Sequence, residues 1–252
     1  MTAIVLLAVL GLAVGSFLNV CIHRLPIGES VVRPPSHCPS CNRRLAWFEN
    51  VPVLSYVVLR GRCRTCRTRI SPVYPLIELA TAIVFVGTWL LVGPGPLLGP
   101  RLVFASAMIV LLMIDLRYRL LPNVITLPGI VAGFFLSFTA PPGWRGSLVG
   151  IVAGGGVLLL IAKSYELLRK EEGLGMGDVK MLAMIGAFLG WQLMLVTLVL
   201  SSVAGSVVGI LLIVSRRGGL KYALPFGTFL ALGALAASAF GDRLLAWYLG
   251  FY

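Results

Sequence analysis

Seven apolar stretches, at 2–22, 76–92, 102–114, 124–140, 147–162, 181–214 and 223–240, dominate this 252-residue chain. Several reach or approach the roughly 20 residues that carry a helix across a hydrocarbon core about 30 Å thick. Backbone N–H and C=O groups find no water in that core, so such stretches must satisfy them internally, as helices. Composition agrees, with 58% hydrophobic and 12% charged residues; a soluble domain has about a quarter of its residues charged. The chain is therefore expected to be an all-α polytopic membrane protein in contact with lipid. The first stretch, MTAIVLLAVLGLAVGSFLNVC, has no basic start and no clean small-x-small cleavage site, so it reads as a retained span rather than a cleaved signal.

Net charge is +12, from 21 basic and 9 acidic residues. Eighteen of the basic residues fall on one alternating set of connections: nine arginines in 23–73, Arg117 and Arg119, Lys163, Arg169, Lys170 and Lys180, and Arg216, Arg217 and Lys221. Only Arg101, Arg145 and Arg243 fall on the other. This is the positive-inside asymmetry, which places the first set in the cytoplasm and the N-terminus outside. Topology accounts for the charge, so no nucleic-acid partner is inferred. At 1.5 Å per residue, 181–214 would make a helix about 51 Å long, too long for one span, and both its flanks are basic. A break near Gly190–Gln192 resolves this and gives about eight spans, with seven as the next count. The expected organisation is a first transmembrane helix at 1–22, a cytoplasmic loop domain at 23–73 and a transmembrane core at 74–252.

The loop carries CPSC at 38–41 and CRTC at 63–66. Two C-x-x-C knuckles at this spacing suit a four-thiolate zinc site, and basic neighbours favour the thiolates. The alternative, a pair of disulfides, is disfavoured in a reducing cytoplasm. Cys38, Cys41, Cys63 and Cys66 are thus expected to bind a structural Zn²⁺ with no open coordination position. Cys21 reads as an ordinary buried thiol.

Aspartate is scarce: Asp115, Asp178 and Asp242 are the whole complement. Asp242 needs only a solvated role. Asp115 closes the apolar run LVFASAMIVLLMI, where a carboxylate meets the negative end of a helix macrodipole. Asp178, in GLGMGDVK at 173–180, has a bland reading as a helix N-cap, with Lys180 as an interfacial anchor or a charge that tunes it. Topology puts both carboxylates at cytoplasmic span ends. Two adjacent carboxylates share a proton, which suits hydrolysis of an amide by activated water. Other protease chemistries lack their residues: His23 and His37 are the only histidines, and neither H-E-x-x-H nor G-x-S-x-G occurs. The competing class is a transporter in which Asp115 and Asp178 relay protons or bind a cation.

GSFLNVCIHRLP at 15–26, both knuckles, YPLIELATA at 74–82, IDLRYRLLPNVITLP at 114–128, GMGDVKMLAMIGAFLG at 175–190 and PFGTFLALGA at 225–234 resemble, in order, the type IV prepilin peptidases. G-x-G-D is also shared with presenilin-like intramembrane proteases. The resemblance implies a bifunctional bacterial inner-membrane enzyme. It would cut the basic leader from prepilins or pseudopilins on the cytoplasmic side, then methylate the new N-terminal amine with S-adenosylmethionine. It assigns catalysis to Asp115 and Asp178, and the large cysteine loop matches members that also methylate. The sequence departs from the family's pattern at Thr228, where proline is frequent, and at His23, where an aromatic residue is common. On this reading Gly175 and Gly177 let the substrate backbone approach closely. Glu29, Glu49, Glu171 and Glu172 are candidates for holding the positive leader, and Glu78 for contacting the substrate amine or methyl donor, or pairing with a loop arginine. GIVAGGG at 150–156 permits close helix packing, within one chain or in a homo-oligomer.

Overall fold

The computed structural model describes residues 1–169, 175–215 and 224–250. Lys170, Glu171, Glu172, Arg216, Arg217 and Lys221 lie outside the described residues. The elements in chain order are α1 (Thr2–Arg24), the short loop helix α2 (Leu54–Val58), α3 (Val73–Val92), α4 (Leu98–Tyr118), α5 (Asn123–Leu136), α6 (Gly143–Arg169), α7 (Met176–Val214) and α8 (Phe226–Leu249). Among the described residues there is no strand; two isolated bridges, both in the cysteine loop, are the only β pairing. Among the described residues, six helices are long and apolar enough to cross a membrane.

The break expected near Gly190–Gln192 falls at Gly190, whose φ of 77° and ψ of 172° interrupt α7. Only glycine adopts that conformation without strain. With α7 in two parts and the 14-residue α5 counted, the eight expected apolar segments are all helical. The first part of α7 is buried at every position from Met181 to Gly190, the pattern of a helix surrounded on all sides.

Contacts divide the chain into two compact units, Met1–Pro94 and Gly95–Tyr252. Polarity alone separates 23–73 from its flanks, but packing joins α1 and α3 across that loop. In the first unit, a Cβ added at Gly11 would lie 2.6 Å from Ala82 Cα, and one at Gly15 2.7 Å from Glu78 Cα. One turn further, Asn19 Nδ2 donates to Tyr74 O at 3.0 Å. Small residues four apart thus bring two backbones into contact, the usual solution where lipid offers no hydrophobic drive for helices to associate.

In the second unit the buried half of α7 is the centre. Phe104, Met108, Leu111, Met181, Leu182, Met184, Ile185, Met194 and Leu230, from α4, α7 and α8, form its core. α6 crosses α7 at glycines: a Cβ on Gly150 would overlap the carbonyl oxygen of Gly186, a Cβ on Gly186 that of Gly150, and a Cβ on Gly154 would lie 2.6 Å from Leu182 O. Ser147 Oγ adds a hydrogen bond to Ala187 O at 2.8 Å.

An alanine at Gly186 therefore should cost stability by overpacking, about 1–3 kcal/mol, although helix propensity alone favours alanine by about 1 kcal/mol. Gly156→Ala, whose added methyl meets nothing within 4 Å, supplies the control. Thermal unfolding in detergent should show a lower midpoint for Gly186→Ala and an unchanged or higher one for Gly156→Ala. Equal midpoints would contradict the α6–α7 packing described.

Candidate functional site

α4 ends just beyond Asp115, where Arg119 turns into the left-handed region (φ 52°) and donates its N–H to Asp115 O at 2.8 Å. The Asp115 side chain is 5% exposed and reaches the start of α8. Its Oδ2 accepts the backbone N–H of Thr228 at 2.6 Å and the Thr228 hydroxyl at 2.9 Å. Thr228 lies in the first turn of α8, which begins after Pro225, and N–H groups there have no partner four residues back. A carboxylate that opposes the macrodipole of its own helix thus sits at the favourable, positive end of another. A Cβ on Gly227 would lie 3.0 Å from Asp115 Cγ, so glycine is what admits the side chain.

Asp178 lies in the first turn of α7, but it is not the cap. Gly175, in extended conformation, occupies that position, and Asp178 N–H donates to Gly175 O at 3.1 Å. The Asp178 carboxylate is half-buried, and among the described residues no donor reaches it. The charge acting on it is that of Asp115. Leu121, in the α4–α5 turn, joins the two surroundings. A Cβ on Gly177 would lie 3.0 Å from Leu121 Cβ, and one on Gly227 3.0 Å from Leu121 Cδ1. The C-terminal end of α4 and the N-terminal ends of α7 and α8 therefore converge on one leucine. Gly177 faces Leu121, whereas among the described residues a Cβ on Gly175 would have only Asp178 Oδ2 at 3.5 Å and Gly177 N at 4.0 Å within reach. Lys180 turns to α5, its Nζ donating to Asn123 Oδ1 at 2.9 Å. Thr228, Leu121 and Asn123 escaped sequence reasoning as site residues. A threonine in the first turn after Pro225 was the one available signal.

In the first unit, the four knuckle sulfurs lie within 4.8 Å of one another, with Cys38 Sγ 3.7 Å from Cys66 Sγ, and none is in a disulfide. A tetrahedral zinc with Zn–S of about 2.3 Å separates its sulfurs by about 3.8 Å, so the cluster can hold a metal ion. The knuckles are two copies of one turn, residues 36–45 and 61–70. Cys38 N–H donates to Arg43 O at 3.0 Å and Cys63 N–H to Thr68 O at 2.9 Å. The bridges His37–Arg44 and Arg62–Arg69 correspond, as do the positive φ angles of Asn42 (53°) and Arg67 (60°). The Thr68 hydroxyl and N–H hold the Cys66 thiol down to about 6, and the Cys66 and Thr65 N–H groups lower Cys63. Cys41 goes the other way, to about 11: the Arg43 N–H lowers it, but desolvation and the three neighbouring sulfurs outweigh that.

Glu78 is 8% exposed. Its Oε2 accepts Val53 N–H at 2.8 Å, and the Ser16 side chain also hydrogen-bonds to the carboxylate. It ties the loop to α3 through backbone, not through a loop arginine. Glu49 is buried and serves the loop itself, accepting Ala46 N–H at 2.8 Å and pairing with Arg43 at 2.5 Å. Those two partners hold its carboxyl below the usual range. Glu29 is exposed.

Residues 9–92 match the Bacterial Peptidase A24 N-terminal domain, and residues 102–210 match the Type IV leader peptidase family. The chain is 38% identical to a prepilin leader peptidase/N-methyltransferase of Aeromonas hydrophila, over 94% of this chain and 91% of that one. It is 39% identical to one from Burkholderia pseudomallei (strain 1026b), over 92% and 84%. A third, from Myxococcus xanthus (strain DK1622), is 43% identical over 84% and 63%. No solved structure matches. With membrane helices, an aspartate preceded by a G-x-G pair and matches of this length, the chain belongs to the type IV leader peptidase family, whose relatives here are prepilin leader peptidase/N-methyltransferases.

Proposed function

We propose that this chain is a membrane aspartic endopeptidase. It cuts the basic leader from prepilins or pseudopilins at the cytoplasmic face of the bacterial inner membrane, and then methylates the exposed amine with S-adenosylmethionine as donor. The observation that carries the peptidase reading is the convergence of Asp115 and Asp178, from α4 and α7, around Leu121. Asp115 and Asp178 act as one acid–base pair sharing a proton: the ionised member takes a proton from water, and the protonated member polarises the scissile carbonyl. The open side of Gly175 is where substrate backbone passes beside Asp178, while Gly177 keeps Leu121 in place. Lys180 sets the position of α7 against α5 through Asn123.

The depth of the pair fits the substrate. A prepilin carries its basic leader in the cytoplasm and an apolar helix in the bilayer, so its scissile bond lies at the interface. The positive-inside asymmetry, with eighteen basic residues on one set of connections, supports that depth for the pair's end of the bundle.

Methylation follows from the shared names of the relatives and from the cysteine loop. Glu78, the residue the sequence offered for the methyl donor, is committed to Val53 and Ser16, so no transfer step is built on it. Cys38, Cys41, Cys63 and Cys66 would hold Zn²⁺ as a structural ion joining the two knuckles. A loop with few buried apolar groups gains its folding free energy from such an ion.

Asparagine at 115 or 178 preserves shape but cannot carry the shared proton. With purified protein in detergent and a synthetic prepilin, Asp115→Asn and Asp178→Asn should each lower leader release by at least about 10³-fold, read by mass, with unchanged thermal midpoints. Near wild-type release from either folded variant would overturn the pair mechanism. Elemental analysis should find one zinc per wild-type chain and substantially less in Cys63→Ser, with faster proteolysis of the loop. A serine variant that keeps its full metal would remove the zinc assignment.

A further inference from the structure

The two carboxylates are held unequally, and this assigns their protons. Asp115 Oδ2 accepts two hydrogen bonds from one residue, the Thr228 N–H at 2.6 Å and hydroxyl at 2.9 Å. It also faces the positive end of α8. Donors of this kind favour the charged carboxylate. Asp178 has the opposite surroundings among the described residues: half-buried, reached by no donor, with a like charge as its neighbour.

Resting on the peptidase reading above, we propose that Thr228 is a positioning residue that makes Asp115 the ionised member of the pair and Asp178 the proton carrier. Thr228 occupies Oδ2, so Oδ1 of Asp115 is left to take a proton from the attacking water as its oxygen bonds to the scissile carbon. Asp178 gives its proton to the carbonyl oxygen, producing a gem-diol. When the C–N bond breaks, the proton on Asp115 goes to the leaving amine and a hydroxyl proton of the diol returns to Asp178. Both carboxyls end as they began. Thr228 neither touches substrate nor carries a proton in this cycle.

Among the described residues, the charged groups around the pair do not duplicate this role. On α4 and its cap, Arg117 and Arg119 are cationic, and Arg119 acts on Asp115 as a positive charge. On α7, Lys180 is held by Asn123. α5 contains no ionisable side chain, and the charges of α8, Asp242 and Arg243, lie at its other end. Arginine and lysine stay charged across the carboxylate range. The acid limb of the cleavage profile therefore reports the pair, as a macroscopic property of both groups.

The test is kcat/KM for leader release against pH, from about 4.5 to 9, using full-length wild type, Thr228→Ser, Thr228→Val and Thr228→Pro in detergent with one synthetic prepilin. Serine keeps both donors and should overlay wild type. Valine keeps the backbone N–H but loses the hydroxyl; its acid limb should move up by about one pH unit, about a tenfold loss on the acid side, with the neutral plateau changed far less. Proline, tolerated in a helix's first turn, removes both donors and should move the limb further. Thr228→Ala replaces valine if valine does not give a folded protein. A valine or alanine limb that overlays wild type overturns the proposal, as does a loss that is equal at every pH or is shared by serine. A wild-type chain that releases no leader overturns the peptidase reading, and this one with it.

Discussion

A carboxylate at the C-terminal end of one membrane helix is held at the N-terminal end of another, and the arrangement of the second unit depends on that pairing. Asp115 would be unfavourable against the dipole of α4 alone. Thr228 supplies two donors and α8 its positive pole, so burying the side chain leaves no unmet acceptor at Oδ2. The contact spans 113 residues of sequence and fixes α4 against α8 at one end. At the other end, Arg101 donates to Ser238 at 2.6 Å, so an antiparallel helix pair is tied by polar contacts at both ends. In a medium where helices gain little by hiding apolar surface from lipid, such ties and close packing set register.

Close packing comes from glycine. Gly150 against Gly186 brings α6 onto α7, and Gly227 admits Asp115 beside Leu121. The same device joins α1 and α3 through Gly11 and Gly15 in the first unit. These residues are usually read for flexibility, but most here serve contact. Gly190 is the exception, because its positive φ breaks α7 and lets one apolar run become a buried segment followed by a second, less buried one.

How legible each feature was follows from how local its cause is. The helical class, the break in α7 and the gathering of four cysteines are written in short stretches of composition and spacing, and the fold shows all three. The aspartates stood out because apolar spans cannot carry carboxylates idly. Thr228 was noticed only as a departure from a motif; its role depends on a helix more than a hundred positions away, which no local pattern encodes. Asp178 was offered as a cap, yet the cap position is taken three residues earlier by Gly175, and Met176 is the first helical residue. The repeated turn of the knuckles was available in SHCPSCNRRL and GRCRTCRTRI, but it became evident only through matching hydrogen bonds. Glu49 looked like a surface acid free to bind a leader, and packing turned it inward to Arg43.

The proposed action of Asp115 and Asp178 as a single unit is measured most directly by a double-mutant cycle. Leader release by Asp115→Asn/Asp178→Asn is compared with each single variant in an assay sensitive enough to quantify the residual rate. Groups that work as one unit are strongly non-additive, so the double variant should be no slower than the slower single variant. Losses that multiply, with each single variant retaining part of the rate and the double showing the product of both deficits, would mean that the aspartates act independently and that no shared proton links them.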